Sequence, residues 1–434
     1  MQYSEEQQQV IEYSGDYQQV IAGAGSGKTF TMIQMLVKLI HEGKEKQREI
    51  LVITFSKKAV TEISERLEKA VGKHQIKIQT FHAYCLYILK KYHPKYSKEG
   101  MRILLPEDKE KIFREFFVEK KFVIGGIPYD FFLQTNSMFL KTHFPDLEHE
   151  LLQVYQDYKD KNNLLDFDDL VNVYLRAMQE NKDWARQARQ EVKRVIVDEF
   201  QDTDLTQLEW LKMLQPQKLT VVGDDWQAIY GFRGASVEPF LKFKDIFSPC
   251  QVNFLCANYR SLKEIVKIAH LPIQKNKNNI KKKTLAQREG KGTVHRANIE
   301  SDEDLQFLCY TLLEEENFAK KGMLLCRSNF RLQTYHKLGI PQENLMTIHA
   351  SKGLEFPYVL VDLAGGWNVK TDAALESIEE ERRILYVALS RAKDKLLILG
   401  NPQQEKKSVE HVFFAYFHRK VASLNLENLS KFFN

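Results

Sequence analysis

Eight residues near the start, Ala22-Gly23-Ala24-Gly25-Ser26-Gly27-Lys28-Thr29, constrain this chain more than any other stretch. They follow an apolar, strand-like run from Gln18 to Ile21 and open a helical pattern that ends near His41. A glycine-rich loop between a strand and a helix turns its backbone N–H groups toward phosphate oxygens, which is the P-loop arrangement, with Ala22 here in place of the first glycine. Lys28 then reaches the β- and γ-phosphates, and the Thr29 hydroxyl can ligate Mg²⁺. Residues Ala24 to Thr29 and the following Phe30 are therefore the expected nucleotide loop. Much later, the apolar run Val195-Ile196-Val197 ends in Asp198-Glu199. Adjacent carboxylates at the end of a buried strand divide their work, Asp198 holding the metal and Glu199 taking a proton from the attacking water. The pair points to hydrolysis of a bound nucleoside triphosphate.

Strand-like runs at Ile50–Ile53, Ile76–Gln79, Arg194–Val197 and Lys218–Val222 alternate with helical patterns, which predicts an α/β unit with a parallel sheet covered on both faces. Between Tyr92 and Leu164 the periodicity is helical and no buried strand stands out, so this stretch reads as a helical insertion. A second strand and helix series starts near Gln251 and continues through Gly322–Leu325, Tyr358–Asp362 and Lys395–Ile398. A length of 434 residues accommodates both units. The expected division is a first lobe from 1–88 and 166–250, a helical insertion from 89–165, and a second lobe from 251–434. The lysine-rich run Lys275 to Lys283 reads as a solvated loop. Past Leu399 the sequence suggests a short tail, helical around Val409 to His418.

Several readings are excluded by composition. No apolar run reaches the length of a membrane span, and the acidic start Met1 to Glu6 lacks a signal-peptide pattern, which points to a cytoplasmic protein without a membrane partner. The five cysteines have no paired metal spacing and read as free thiols. With a net charge of only +5, any basic surface for a polyanion has to be local.

Read in order, further motifs resemble the UvrD/Rep branch of superfamily 1 DNA helicases, from Glu6 to about Leu399. Thr54-Phe55-Ser56-Lys57-Lys58 is similar to motif Ia, Thr80-Phe81-His82-Ala83 to motif Ib, and Gly223-Asp224-Asp225-Trp226-Gln227 through Tyr230-Gly231-Phe232-Arg233-Gly234 to motif III. Asn258-Tyr259-Arg260-Ser261 is similar to motif IV, Ile348-His349-Ala350-Ser351-Lys352-Gly353-Leu354-Glu355 to motif V, and Glu380-Glu381-Arg382 through Ser390-Arg391-Ala392 to motif VI.

The resemblance implies two RecA-like lobes, called 1A and 2A, with a helical 1B insertion, ATP and Mg²⁺ between the lobes, and DNA across their top. It implies that Gln7 and Tyr259 bind adenine and that Glu355 binds ribose. Arg260 and Arg391 would reach the γ-phosphate from the second lobe, where Gln227 senses it. An arginine so placed contributes roughly 10³–10⁵ in rate. Single-stranded DNA would be held by Phe55, Ser56, Lys58, His82, Tyr230, Phe232, Arg233 and His349. Other readings stay open for some of these residues. Arg391 could pair with Glu380 or Glu381, Phe55 and Phe232 could be core, Tyr386 reads better as core than as ligand, and Trp226 could pack behind motif III.

Two departures from the family pattern follow. Phe30 stands where many relatives have an arginine, which leaves base selectivity open. Between Leu325 and motif V, where relatives commonly carry a large domain called 2B, this chain has only Leu332 to Asn344, so no full 2B domain is expected. The implied activity is an ATP-dependent helicase or single-stranded DNA translocase, 3′-to-5′ by resemblance, acting on single strands and single-strand/duplex junctions. The rival is a DNA-stimulated ATPase that senses or regulates for a nuclease or repair partner, as in Gabija-like defence systems.

Overall fold

The computed structural model describes residues 3–121, 137–367, 375–406 and 408–433, without the side chains of 137–139, 233, 375 and 376. Two six-stranded sheets, all parallel, organise it. The first runs Lys77–Gln79, Ile50–Ile53, Arg194–Val197, Lys218–Gly223, Tyr17–Ala22 and Cys250–Leu255 from edge to edge. The second runs Leu345–Thr347, Gly322–Cys326, Phe356–Leu363, Ala392–Gly400, Thr293–Asn298 and Ala422–Ser423. In a parallel sheet every carboxyl end faces the same way, so the segments after Ala22, Ile53, Val197 and Gly223 gather on one edge. The glycine loop, Ser56, the Asp198-Glu199 pair and the Asp224–Gln227 turn meet there for that reason.

The central strands Ile50–Ile53 and Arg194–Val197 are buried throughout, as uninterrupted apolar runs with helices on both faces should be. On one face, Tyr84, Tyr174 and Trp210 pack with Leu51 and Val195; on the other, Met32, Leu36 and Leu67 pack with Val52 and Ile196. The buried glutamines of strand Tyr17–Ala22 are paired. The Gln18 amide donates to Asn253 Oδ1 at 3.2 Å, and that of Gln19 to the Phe240 carbonyl at 2.6 Å.

Strand Cys250–Leu255 corrects the boundary expected at 250/251. It pairs with Tyr17–Ala22 from Tyr17↔Cys250 to Ala22↔Leu255, and Leu255 packs with Val10, Val20 and Val222. The first sheet therefore ends after Leu255, because an apolar run announces a strand but not the sheet it joins. The segment past Leu399 is also more than a tail. After helix Val409–Ala415, Ala422–Ser423 adds an edge strand to the second sheet, and Phe432 and Phe433 are buried in that lobe's core.

The insertion is helical, with Pro106–Glu119 and Pro145–Asn162 packed round Phe116, Phe117 and Leu151; its residues 122–136 lie outside the described ones. Buried Lys159 anchors it, 2.7 Å from Asp169 and 3.2 Å from Asp166, the residue that caps helix Phe167–Gln179. Between strand Gly322–Cys326 and strand Leu345–Thr347 there is one helix, Asn329–Lys337, and one short turn, Gln342–Asn344. Among the described residues, no helix is long and apolar enough to cross a membrane.

Candidate functional site

Strand Tyr17–Ala22 hands the chain to helix Lys28–Glu42 through a loop in which Gly25 and Gly27 have φ of +70° and +79°. Both values lie in the left-handed region that side chains with a Cβ avoid. A Cβ on Gly25 would also come within 2.6 Å of the Arg260 side chain, so the second lobe closes directly over the loop. Three further contacts make the same closure. The Asn258 amide donates to the Ala24 carbonyl at 2.7 Å, Tyr259 N–H to the Gly25 carbonyl at 2.8 Å, and Ala24 N–H to the Tyr386 hydroxyl at 3.4 Å. Tyr386 is buried, as expected, yet its hydroxyl touches the loop.

Gln7 sits at one side of this loop. Its carbonyl oxygen accepts the Ser4 N–H at 3.1 Å in a capping box, which turns the amide nitrogen toward Gly27, where the Tyr259 ring also lies. Phe30 leans on Tyr3 at 6.2 Å between ring centroids. Ser26 is buried and its hydroxyl has no protein partner. A buried polar atom of this kind fits a loop shaped for phosphate oxygens.

Asp198 and Glu199 differ in environment. Asp198 is buried at the strand end, and burial together with the Glu199 charge raises its carboxyl to about 7. Burial acts on Glu199 in the same sense, but Lys28, Lys352, the Gln201 hydrogen bond and Arg391 hold it down at about 2. The Gln201 amide donates to Glu199 at 2.6 Å and Lys28 Nζ lies 3.6 Å away. Glu199 also has φ of +52°, a strained value for a side chain with a Cβ, which persists only where the surroundings hold it. Burial thus raises one carboxyl of the adjacent pair while the surrounding cations lower the other, so the two differ in environment although they are neighbours in the chain.

The donors expected for Mg²⁺, the Thr29 hydroxyl and the Asp198 carboxylate, are hard oxygens. No cluster of three or more His, Cys, Asp or Glu with metal-holding geometry occurs among the described residues. Mg²⁺ takes one or two protein oxygens of the Thr29 and Asp198 kind and completes its shell with phosphate and water.

Arg391 is fully buried and has no carboxylate within ion-pair distance among the described residues. Its guanidinium donates to the carbonyls of Val387 at 2.9 Å and Leu354 at 3.1 Å, and to Gln227 Oε1 at 3.0 Å. Burial, followed by the nearby Arg260 charge, lowers it to about 9. The two glutamates that could have neutralised it are engaged elsewhere: Glu380 accepts the Gly231 N–H at 2.8 Å, and Glu381 pairs with Arg327 at 2.7 Å. The Arg391 charge is opposed only at longer range, by Glu199 and Asp224, and a buried cation without a contacting carboxylate favours the arrival of an anion. Arg260 is bound to Glu355 at 2.7 Å, and Glu355 also accepts from Lys393 at 3.0 Å.

Phe55, Tyr230, Phe232 and His349 form one aromatic group across the two lobes. Phe55 and Tyr230 stack at 5.5 Å and 12°, and Phe232 meets His349 edge-on at 5.3 Å. Phe232 is 53% exposed and Phe55 partly exposed, so the open core reading fails for Phe232. Trp226 is buried between His270 and Tyr386, behind motif III. Ser56 caps helix Lys57–Val71 by accepting the Ala59 N–H at 3.1 Å, which leaves its own proton to donate, and Lys58 is exposed beside it. His82 stands against Phe167 at 6.0 Å, apart from the aromatic group. The Arg233 side chain lies outside the described ones.

Two lysines in this site carry more than their motifs indicate. Lys352 bonds to Asp202 and, at 2.7 Å, to the Gln227 carbonyl, and stands 4.8 Å over the Tyr230 ring. Lys282, read as part of a solvated run, is instead buried against Asp224 and Asp225. Position within motif V could have singled out Lys352. For Lys282 the only available signal was a pair of aspartates in need of a cation.

Two parallel sheets closing over one glycine loop, the second presenting a buried arginine to the carboxylate edge of the first, define a two-lobed P-loop NTPase. The family model for the UvrD/REP helicase N-terminal domain matches residues 3–248, and that for the UvrD-like helicase C-terminal domain matches 331–402. The chain belongs to the UvrD/REP helicase family. It is 27% identical to a probable DNA helicase of Mycoplasma pneumoniae over 92% of this chain and 83% of that protein. It is 30% identical to the ATP-dependent DNA helicase Rep of Buchnera aphidicola, with 75% of this chain aligned, and 28% identical to the ATP-dependent DNA helicase PcrA of Staphylococcus epidermidis, with 74% aligned. It spans about half the length of these last two, 53% and 48%.

Proposed function

We propose that this chain is an ATP-driven translocase that moves 3′-to-5′ along single-stranded DNA and unwinds duplex weakly by itself. One observation carries the reading: buried Arg391 has no carboxylate at ion-pair distance among the described residues and is bonded to Gln227, on the segment that presents Tyr230 and Phe232 to the surface. ATP would lie between the lobes, its phosphates on residues Ala24 to Thr29 and its adenine beside Gln7 and Tyr259. Mg²⁺, held by Thr29 and Asp198, would neutralise the phosphate oxygens. Glu199 would accept the proton of the attacking water once Lys28 turns from it to the phosphates. Arg391 and Arg260 would stabilise charge on the transferred phosphoryl. For Arg260 this requires release from Glu355, which frees that carboxylate for the ribose.

Gln227, Lys352 and Tyr230 connect this chemistry with the aromatic group, so closure of the lobes would alter the grip on bases. Polarity rests on the family likeness alone. In Phe232→Ala the loss of one stacking face should weaken binding of an oligothymidylate by roughly 1–3 kcal/mol while nucleotide affinity stays unchanged. Fluorescence anisotropy checks this, and equal affinity would remove Phe232 from the strand site. Affinity should also fall with rising salt, with a logarithmic slope near −0.7 for each phosphate neutralised.

The weak-unwinding part rests on the single short helix Asn329–Lys337 where a domain that grips duplex would stand. Dye release from single-stranded ends should therefore outpace strand separation of 3′-tailed duplex at equal ATP turnover, and 5′-tailed and blunt duplex should remain intact. Processive unwinding by this chain alone would refute that part. DNA-stimulated turnover without translocation would favour the regulatory ATPase that serves a nuclease or repair partner.

A further inference from the structure

The basic run Lys275–Lys283 leads from the second lobe back to the first and delivers one lysine into a buried site. Lys282 Nζ lies 2.6 Å from Asp224 Oδ1 and 2.5 Å from Asp225 Oδ1, its side chain is 2% exposed, and it stands 4.5 Å over the Trp226 ring. Asp225 Oδ2 accepts the Ile280 N–H at 2.7 Å, which fixes the same segment a second time. Beyond Lys282, Leu285–Ala286 pairs with Ala257–Asn258, whose Asn258 holds the Ala24 carbonyl of the phosphate loop.

Asp224 faces the hydrolytic site through its other oxygen. Oδ2 accepts the Gln227 amide N–H at 2.5 Å, and Gln227 Oε1 accepts from Arg391 at 3.0 Å. An amide side chain has two nearly isosteric orientations, and its neighbours decide between them. Asp224 Oδ1 accepts from Lys282 and the Trp226 N–H, and Oδ2 takes the NH₂ group of Gln227, which turns the Gln227 oxygen toward Arg391. Two adjacent buried carboxylates are costly without a cation, and Lys282 is the cation that contacts both.

We infer that Lys282 is a positioning residue for ATP hydrolysis, orienting Gln227 through Asp224 and thereby Arg391, without itself touching nucleotide. The inference rests on the reading that Gln227 and Arg391 act on the γ-phosphate. Steady-state ATPase assays with saturating oligothymidylate test it. Lys282→Met should lower kcat roughly 10–100-fold, the range typical when the support of an active-site ligand is removed, with KM for ATP and ADP affinity little changed. Because the lysine acts through Gln227, the double variant Lys282→Met/Gln227→Ala should be no slower than Gln227→Ala. A multiplicative loss in the double variant, or an unchanged kcat in Lys282→Met, would overturn the inference. If Lys282→Met does not fold, Asp225→Asn, which keeps the volume but loosens the lysine, should lower kcat in the wild-type background only. A loss that persists beside Gln227→Ala would then overturn the inference. Absence of ATPase in the wild-type chain would instead remove the proposed function, and this inference with it.

Discussion

Arg391→Ala is expected to lower DNA-stimulated ATP turnover by roughly 10³–10⁵, the largest loss from any single replacement in this chain. The guanidinium is buried with no carboxylate at ion-pair distance among the described residues, and three of its protein acceptors are neutral oxygens of Val387, Leu354 and Gln227. Direct ion pairing is therefore left open for an anion that arrives with substrate. The loss should fall on kcat, because the developing charge on the phosphoryl oxygens exists only in the transition state. ADP lacks the γ-phosphate, so ADP affinity should change little. A calorimetric titration of ADP beside a steady-state assay separates the cases, and equal weakening of ADP and ATP would mean that Arg391 serves to hold the lobe together. Arg391→Lys keeps charge but loses the planar fork, and should recover little of the lost rate.

Glu199→Gln should slow turnover by roughly 10²–10⁴, the range for removal of a general base, while ATP still binds. Burial raises the Glu199 carboxyl, but Lys28, Lys352 and the Gln201 hydrogen bond outweigh it and hold the carboxyl low, so it stays ionised, and its basicity should rise once Lys28 leaves it for the phosphates. Glutamine preserves the shape and the oxygen that accepts from Gln201, but cannot take the proton. Rapid-quench measurement with trapped ATP should show bound, uncleaved nucleotide. Wild-type turnover in this variant would remove Glu199 from the chemistry and leave its strained backbone, with φ of +52°, unexplained by function.

The most legible features in the sequence were those whose function depends on neighbours in the chain. A phosphate loop needs its glycines, lysine and threonine in one turn, so residues 22–29 announced themselves, as did the Asp198-Glu199 pair at the end of an apolar strand. Five strands of the first sheet and three of the second were readable as apolar runs for the same local reason. Thr293–Asn298 was not, because its Thr, His, Arg and Asn mask a strand that is only partly buried.

What the tertiary structure decided was partnership. The pattern of Cys250–Leu255 is that of a strand, yet only backbone pairing with Tyr17–Ala22 assigned it to the first lobe. Glu380 and Glu381 follow each other in the chain, and packing sent one to Gly231 and the other to Arg327, leaving Arg391 without either. Lys282 reads as one solvated lysine among several until the fold encloses it with two aspartates more than fifty residues away. Local sequence determines which groups are present and what backbone they adopt, since φ, ψ and side-chain periodicity are set within a few residues. Which charge meets which is settled by burial, where an unpaired ion is costly and only the closed fold determines what lies within 3 Å.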